Sequence, residues 1–315
     1  MRLLFLGSPA VAVPFLEACL AAGHEVAAVV TQPDKPSGRG LELKPPAVKA
    51  AALARGLKVL QPEKPSVIAA ELAALKADLA VVVAYGRILR PDVLAAARLG
   101  FMNVHFSLLP KYRGAAPVQR ALMDGETGTG VTLFWLDAGM DTGPVQRMAP
   151  APIAAEDDAL SLFPKLVALG VSELQAALGE VAAGRVVRTP QAGEPSLAPK
   201  LTADLARIDF EMAAPQLVNR VRGLAAGGGT WFEAGAPGRR VKVVRAGLAE
   251  ASGAGEPGRL LGVEPDGAVL IQCRLGVLRV REVQPEGKRK LPAADFINGL
   301  RLKAGELIWG PSRNR

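Results

Sequence analysis

Residues 2–30 read RLLFLGSPAVAVPFLEACLAAGHEVAAVV, and this stretch decides the fold class. Its apolar start, residues 2–6, is closed by glycine, serine and proline, which predicts a buried strand followed by a turn. The helical pattern at 11–22 ends at Gly23, a typical helix stop, and residues 25–30 predict a second strand. A strand, a helix and a strand in so short a stretch indicate a βαβ unit, and hence a parallel sheet.

The same alternation continues along the first half of the chain. Apolar runs predict further strands at 78–84, 101–104, 130–136 and 145–148, and helical patterns lie at 47–55, 66–76, 115–123 and 158–183. We therefore predict an α/β, Rossmann-like domain with a parallel sheet at residues 1–184. Its first turn lacks GxGxxG and the chain lacks GxxxxGK[ST], so neither a dinucleotide site nor a P-loop is predicted.

The pattern changes after a proline-containing segment, residues 185–208, which we predict to be a linker. A helical pattern at 214–224 is followed by short apolar or alternating runs at 240–246, 259–263, 268–273 and 276–283. Short strands separated by turn residues are typical of small barrels. We therefore predict a small OB-like β-barrel domain at residues 209–315, with its last helix at 293–300.

The 315-residue chain carries a net charge of +8, and this charge is unevenly distributed. Residues 1–199 hold 19 Lys and Arg against 18 Asp and Glu, whereas residues 200–315 hold 19 against 12. A positive C-terminal third favours a polyanionic partner such as a nucleic acid. A basic domain without such a partner is the alternative that charge alone leaves open.

Composition argues against several classes of protein. No apolar run has the roughly eighteen residues that a membrane helix needs, and the chain begins with a strand pattern rather than a signal peptide. We expect a cytoplasmic monomer that does not associate with membranes. The chain has two cysteines and two histidines without metal-ligand spacing, so no metal site is predicted.

Polar side chains follow two of the predicted strands. Residues 101–117 read FMNVHFSLLPKYRGAAP, in which Asn103 and His105 occupy alternate positions of a strand and share one face. Residues 136–143 read LDAGMDTG and place two aspartates, Asp137 and Asp141, after another strand. An amide, an imidazole and a carboxylate at strand ends predict a catalytic group at one edge of the sheet. A structural histidine and a turn-forming aspartate fit the same spacing.

These motifs occur in an order that resembles a known family. Residues 103–119, NVHFSLLPKYRGAAPVQ, and residues 130–143, GVTLFWLDAGMDTG, are similar to the signature of the 10-formyltetrahydrofolate-dependent formyltransferases, most of all members that act on methionyl-tRNA. The resemblance extends through LLFLGSP, TQPDKPSGRG, VVVAYGRIL and ARIDF at residues 3–9, 31–40, 81–89 and 206–210. It implies 10-formyltetrahydrofolate as formyl donor, the amino group of methionyl initiator tRNA as acceptor, and no metal.

The resemblance also assigns roles to individual residues. It implies that Asn103, His105 and Asp141 are catalytic. The folate would be bound by Tyr85, Gly86, Ile88, Leu89, Ser107, Leu108, Leu109 and Pro110. The tRNA would be bound by Arg39 and Lys44 in the loop after the second strand, and by Lys288, Arg289 and Lys290 in the basic C-terminal domain.

The sequence departs from the family pattern at two places. Phe106 is bulkier than the residue that relatives commonly carry beside the histidine, and glycines at 227–229 replace an aromatic and proline-rich segment. Two other functions therefore stay open at this point. One is a related formyltransferase that acts on a small amine, such as an amino sugar nucleotide. The other is a non-catalytic RNA-binding protein, which the basic C-terminal third alone would permit.

Overall fold

The structure of the protein is a computed structural model, which describes residues 1–37, 42–234, 239–250 and 255–308. The chain divides into two compact units. The first comprises Met1–Pro117, Gly128–Pro152 and Phe163–Pro199, and the second comprises Val118–Thr127, Ile153–Leu162 and Lys200–Arg315. The sequence boundaries after residues 184 and 208 stay predictions.

The first unit is built on a seven-stranded sheet with helices packed against it. The strands of this unit, seven of which form the main sheet, are β1 (Arg2–Gly7), β2 (Glu25–Val30), β3 (Lys35–Ser37), β4 (Glu42–Lys44), β5 (Val59–Leu60), β6 (Leu79–Val83), β7 (Phe101–His105), β8 (Arg113–Gly114), β9 (Gly128–Trp135), β10 (Val145–Pro152) and β11 (Leu197–Ala198). The helices of this half of the chain are α1 (Val13–Ala21), α2 (Ala47–Leu53), α3 (Ala69–Ala74), α4 (Pro91–Leu94), α5 (Pro117–Met123) and α6 (Ala159–Ala182).

The order of strands in the main sheet is β10-β9-β7-β6-β1-β2-β5. The five strands from β7 to β5 are mutually parallel, which confirms the predicted βαβ unit and the Rossmann-like class. Leu3, Leu4, Phe5 and Leu6 of β1 are fully buried, because a central parallel strand is covered on both faces. Burying each such side chain contributes about 1.5–3 kcal/mol to stability.

The other edge of this sheet is antiparallel. Strand β9 runs antiparallel to β7, and β10 runs antiparallel to β9. The predicted edge strand at 145–148 is confirmed and continues to Pro152. The predicted helix at 66–76 is shorter, because Pro65–Ile68 forms a 3-10 turn before α3 begins. The predicted cap of α6 is confirmed: Asp158 Oδ1 accepts the backbone N–H of Leu160 at 2.8 Å.

The second unit contains a mainly antiparallel sheet of short strands, as predicted for the C-terminal part. Its elements are α7 (Ala214–Leu224), β12 (Thr230–Glu233), β13 (Arg240–Leu248), β14 (Leu260–Val263), β15 (Val269–Gln272), β16 (Val277–Pro285), β17 (Leu291–Pro292) and α8 (Ala293–Leu300). Strands follow the order β12-β13-β16-β15-β14, and β17 also pairs with β16. Sequence patterns missed β12, whose start follows three glycines. Phe210 and Phe232 pack edge to face in its core, with ring centroids 5.7 Å apart.

No helix within the described ranges is long and apolar enough to cross a membrane. Within the same residues, no group of three or more His, Cys, Asp and Glu could hold a metal ion. Cys19 and Cys273 are buried free thiols, and burial raises their pKa values to about 12 and about 11.

Candidate active site

Asn103 and His105 lie on the same face of β7, since side chains alternate along a strand. Asn103 is half-buried, and its side-chain amide makes no hydrogen bond to any residue in the described part of the chain. His105 is the last residue of β7 and is buried. The amide of Asn103 is therefore available to a bound molecule, whereas the imidazole is held by the protein.

One nitrogen of His105 has a fixed partner. Its Nε2 lies 2.8 Å from the backbone carbonyl oxygen of Tyr112, and a carbonyl can only accept a hydrogen bond. Nε2 therefore carries a proton, and Nδ1 of the neutral ring is an unprotonated acceptor. Nδ1 lies 3.7 Å from Oδ2 of Asp141.

Burial lowers the pKa of His105 below its ordinary value, because the cation is poorly solvated there. The negative charge of Asp141 and the carbonyl of Tyr112 oppose this effect by stabilising the cation. The net shift is downward, so the imidazole is mainly neutral at neutral pH. A neutral ring with a free Nδ1 can take up a proton, and the neighbouring carboxylate can stabilise the cation that forms.

Asp141 is held in an unusual backbone conformation. Its φ of 54° lies in the left-handed region, which favours glycine. The backbone N–H of Gly114 donates to Asp141 Oδ2 at 2.7 Å. Within the same loop, Asp137 Oδ1 accepts from Gly139 N and from Thr142 Oγ1 at 3.0 and 2.7 Å. Hydrogen bonds within the loop thus restrain residues 137–143, and the bond from Gly114 N fixes the direction of the Asp141 carboxylate.

Gly143 ends this loop where no side chain would fit. A Cβ placed on it would lie 1.8 Å from the carbonyl oxygen of Trp135. The two ends of the loop are joined there, because the N–H of Trp135 donates to the carbonyl oxygen of Pro144 at 2.8 Å. The loop therefore leaves and re-enters the sheet at one point.

The loop reaches His105 by a route different from the expected one. Because β9 is antiparallel to β7, Trp135 pairs with Met102, whereas His105 pairs with Thr132. The loop after β9 thus begins beside the start of β7, and Leu136 N donates to Phe101 O at 2.7 Å. The expectation that the three groups meet at one edge of the sheet stays a prediction, but the route of Asp141 to His105 is set by the antiparallel direction of β9. Asp141 comes close to His105 because the loop folds back along β7.

Residues 107–110 form a turn that is pinned to β9. Thr132 Oγ1 donates to Ser107 O at 2.7 Å, and Leu109 N donates to Thr132 Oγ1 at 3.1 Å. Ser107 Oγ donates to Lys111 O at 2.6 Å, and the bond between Leu109 and Pro110 is cis. Leu108 is half-buried against Gly130, where a Cβ would lie 2.4 Å from the leucine side chain. The residues of this turn that we predicted to bind folate, 107–110, therefore follow closely after His105 along the chain.

The predicted folate residues Tyr85, Gly86, Ile88 and Leu89 lie in the connection after β6. The side chain of Tyr85 is buried, and its hydroxyl has no hydrogen-bond partner among the described residues. Burial raises the pKa of this hydroxyl. Leu89 is buried, whereas Ile88 is 88% exposed. An exposed isoleucine and a buried hydroxyl without a partner among the described residues, three positions apart in sequence, are features of a segment that can bind a small molecule.

A cavity of about 460 Å³ opens beside this segment. Gly86 and Ile88 line it, and so do Lys64, Arg87 and Arg90. Gly86 has a φ of +72°, and a Cβ there would lie 2.9 Å from the side-chain nitrogen of Gln32. The cavity thus combines an apolar wall with three cationic side chains and the carboxylate of Glu63, a lining that is positive on balance and suits a small anionic molecule.

A second cavity, of about 440 Å³, lies at the carboxyl ends of β1, β2 and β6. Ser8, Gln32 and Ala84 follow these strands and line it together with Lys35 and Lys44. Its rim is braced because Lys49 Nζ lies 2.7 Å from Asp34 Oδ2. Hydrogen bonds from Gln61 and Lys49 lower the pKa of Asp34. Lys44 is exposed at this rim, whereas the predicted Arg39 lies outside the described residues.

The remaining predicted tRNA residues lie in the second unit. Lys288, Arg289 and Lys290 are exposed in the turn between β16 and β17. Lys288 N donates to Pro285 O at 3.0 Å, and Gln284 Nε2 donates to Lys288 O at 3.0 Å. The turn is therefore ordered by its backbone while its cationic side chains face solvent.

Sequence analysis missed Tyr112, Gly114 and Gln191. Tyr112 and Gly114 act through backbone atoms, so their side-chain types gave no signal. Gln191 donates through Nε2 to Asp141 O and Gly143 O at 2.8 and 2.9 Å. It belongs to a segment that we expected to be a linker.

Comparisons with known proteins identify the family of the chain. Residues 1–178 match the family model described as formyl transferase, and residues 200–301 match the one described as formyl transferase, C-terminal domain. The chain belongs to the formyl transferase family. It is 44% identical to a methionyl-tRNA formyltransferase of Myxococcus xanthus, over 96% of each chain. It is 40% identical to one of Elusimicrobium minutum, over 98% of this chain and 100% of that one.

A solved structure extends the comparison to the fold. An N-formyltransferase of Helicobacter canadensis, crystallised with folinic acid and dTDP-3-aminofucose, has a TM-score of 0.67. It is 19% identical, and the match covers 92% of this chain and 100% of that one. This likeness supports the fold described above for the chain. The family resemblance inferred from residues 103–143 is confirmed.

Proposed function

We propose that this formyl transferase moves the formyl group of 10-formyltetrahydrofolate to the amino group of methionyl initiator tRNA. The observation that carries the proposal is the pairing of His105 Nδ1 with Asp141 Oδ2 at 3.7 Å. Beside it, on the same face of β7, lies the uncommitted amide of Asn103. The near full-length identity to two methionyl-tRNA formyltransferases supports the choice of acceptor.

The reaction joins an amine nitrogen to the formyl carbon and breaks the bond from that carbon to the folate nitrogen. As the amine attacks, the formyl oxygen gains negative charge, and the amide N–H of Asn103 stabilises it. The attacking nitrogen must lose one proton, which His105 Nδ1 accepts directly or through a water molecule. Asp141 stabilises the resulting imidazolium, because its carboxylate is held 3.7 Å away.

The second half of the reaction returns that proton. When the tetrahedral intermediate collapses, the folate nitrogen leaves with the bonding electron pair and takes the proton from His105. The products are a formamide and tetrahydrofolate, and His105 is neutral again. The bond from Nε2 to the carbonyl of Tyr112 persists throughout, since Nε2 keeps its proton in both charge states. The tautomer of the ring is therefore ready for the next cycle.

Substrate binding is proposed for the surfaces that the geometry offers. The folate would be bound by the turn 107–110 and by Tyr85, Gly86, Ile88 and Leu89. The exposed cations Lys44, Lys288, Arg289 and Lys290 are proposed to contact tRNA phosphates, since lysine and arginine provide sequence-independent affinity for nucleic acids. A cytoplasmic location and a monomeric state complete the proposal. The buried free thiols of Cys19 and Cys273 suit a reducing compartment.

The test is a formyl-transfer assay with the purified protein and 10-formyltetrahydrofolate. Initiator methionyl-tRNA, elongator methionyl-tRNA and an amino sugar nucleotide are offered as acceptors at matched concentrations. We expect rapid transfer to the initiator tRNA, with a steep loss of affinity as salt rises. Transfer to the amino sugar alone, without salt dependence, would identify the acceptor as a small amine. Tight RNA binding without transfer to any acceptor would identify a non-catalytic RNA-binding protein.

A further inference from the structure

One segment of the first unit contacts both partners of His105. We name residues 189–198 the return segment, because they run back along the sheet after α6. Thr189 exchanges backbone hydrogen bonds with Val145 of β10, at 2.7 and 3.0 Å. At its other end, Leu197 and Ala198 form β11 and pair with β8. The return segment is thus anchored at both ends to strands that flank the proposed catalytic group.

Gln191 lies between these anchors, and both polar atoms of its side-chain amide make hydrogen bonds. Its Nε2 donates to the carbonyl oxygens of Asp141 and Gly143 at 2.8 and 2.9 Å. Its Oε1 accepts from the guanidinium of Arg113, through Nε at 3.2 Å and Nη2 at 2.6 Å. Both N–H groups and the carbonyl oxygen of one side chain therefore connect the loop of Asp141 to Arg113, which precedes Gly114 in β8.

Ser196 completes the arrangement on the other side of His105. Its Oγ accepts the backbone N–H of Tyr112 at 2.9 Å, and the carbonyl of Tyr112 accepts from His105 Nε2. Tyr112 itself has a φ of 61°, in the left-handed region. The return segment therefore supports the hydrogen-bond acceptor of Nε2 as well as the loop that faces Nδ1.

We propose that Gln191 is a positioning residue that sets the carboxylate of Asp141 against His105 Nδ1. The proposal rests on the catalytic roles proposed above for Asp141 and His105. Asp141 has a backbone conformation that most residues avoid, so surrounding contacts must maintain it. The bonds from Gln191 fix the carbonyls on both sides of Thr142, and the bond from Gly114 N fixes the carboxylate. Without Gln191, the bond from Gly114 N to the carboxylate would remain, but the bonds to the carbonyls of Asp141 and Gly143 would be lost.

The first test measures the titration of the histidines by NMR. The chain has only two, His24 and His105, so each can be followed in the intact protein. Gln191→Met keeps the length of the side chain and removes its hydrogen bonds. Asp141→Asn provides the reference, since it removes the charge that raises the pKa of His105. We expect Gln191→Met to move the pKa of His105 towards the Asp141→Asn value while the pKa of His24 is unchanged.

Gln146 offers a matched control in the same unit. It lies on β10, where its Nε2 donates to Glu180 Oε2 at 3.1 Å and its Oε1 accepts from Val187 N at 2.9 Å. Gln146→Met therefore also removes glutamine hydrogen bonds, here between the sheet and both α6 and the chain that follows it, but it spares Asp141. We expect it to leave both histidine titrations unchanged. Equal His105 titrations in wild type and Gln191→Met, or equal shifts in both methionine variants, would overturn the proposal.

The second test uses steady-state kinetics. A misplacement of about 1 Å can cost on the order of 100-fold in rate, so Gln191→Met should lower kcat at least about tenfold. The KM values of both substrates should stay within about twofold, because the binding surfaces are unchanged. A loss of kcat no larger than that of Gln146→Met contradicts the proposal.

The proposal stays testable if Gln191→Met does not fold and if the wild-type protein is inactive. If Gln191→Met does not fold, judged by circular dichroism, Gln191→Asn is measured in the same way, because it keeps the amide but is too short to reach both carbonyls. The NMR test needs no turnover. A wild-type protein that transfers no formyl group would refute the proposed function, whereas an unmoved His105 titration would refute only the role of Gln191.

Discussion

Gly114 N–H donates to the carboxylate of Asp141 at 2.7 Å, so the segment that follows His105 directly supports the aspartate proposed to act with it. The glycine is required there for two reasons. Its φ is +122°, and a Cβ would lie 2.7 Å from the carbonyl oxygen of Ala198. The backbone can therefore pass between the loop of Asp141 and the strand β11 only where no side chain is present.

The role of Asn103 predicts a loss of rate without a loss of binding. Removing one oxyanion donor costs about 100- to 1,000-fold in kcat, or roughly 3–4 kcal/mol. We expect Asn103→Ala to show this loss in a single-turnover assay, with little change in tRNA affinity. Asn298→Ala, an exposed substitution on α8, serves as control and should be fully active. A fully active Asn103→Ala would exclude the oxyanion role.

The charge of Asp141 predicts a change in the pH profile. The neutral form of His105 is the proposed base, so activity is present above its folded pKa and is lost as pH falls through that value. Burial places this pKa below 6.5, and Asp141 raises it part of the way back. Asp141→Asn should therefore lower the pKa and shift the acid limb of kcat to lower pH, besides reducing the maximum rate.

The control for this experiment is Asp92→Asn, which removes an exposed carboxylate at the start of α4. Its pH profile should overlay that of the wild type. An acid limb that moves to higher pH in Asp141→Asn would show that a different group titrates.

The basic turn between β16 and β17 predicts a change in tRNA affinity. Replacing Lys288, Arg289 and Lys290 by glutamine should weaken tRNA binding and reduce the magnitude of the salt slope by about two to three, if each cation contacts one phosphate. Arg274→Gln is the control, since this exposed residue lies between β15 and β16, at the opposite end of β16. Binding is measured by fluorescence titration at several salt concentrations. An unchanged slope in the triple variant would remove this turn from the tRNA surface.

The tight base of the Asp141 loop predicts a stability difference between two glycines. Gly143→Ala should destabilise the protein by about 1–3 kcal/mol, because its Cβ would overlap the carbonyl oxygen of Trp135. Gly179 lies in α6, where an added Cβ would have nothing within 4 Å, so Gly179→Ala should stabilise by up to about 1 kcal/mol. Denaturant unfolding of both variants measures the two signs. Equal changes in the free energy of unfolding in the two variants would show that the loop accommodates a Cβ at residue 143 without destabilising the protein.

Local patterns were sufficient for much of the fold and for part of the site. The period of two along β7 placed Asn103 and His105 on one face, since this depends on strand geometry alone. The βαβ unit followed from the order of strand, helix and turn residues at 2–30. The pattern LDAGMDTG offered two aspartates, Asp137 and Asp141, and only the family resemblance favoured Asp141.

Long-range geometry could not be obtained in this way. The antiparallel direction of β9 is a property of the whole sheet, so the path of the Asp141 loop could not be inferred from its own residues. Tyr112 and Gly114 contribute backbone atoms, so their side chains give no sign of the hydrogen bonds that they make. Gln191 gave no pattern, because its role depends on where three distant segments meet.

The position of the return segment has a practical consequence for dissecting the protein. A truncated catalytic fragment that ended after Gly184, where the long helix has finished, would discard Gln191 and Ser196 and leave the histidine and aspartate without their outer supports. Extending the fragment through Ala198 would retain them. The sensible point of cleavage is therefore set by the hydrogen bonds of the site rather than by the end of the last helix.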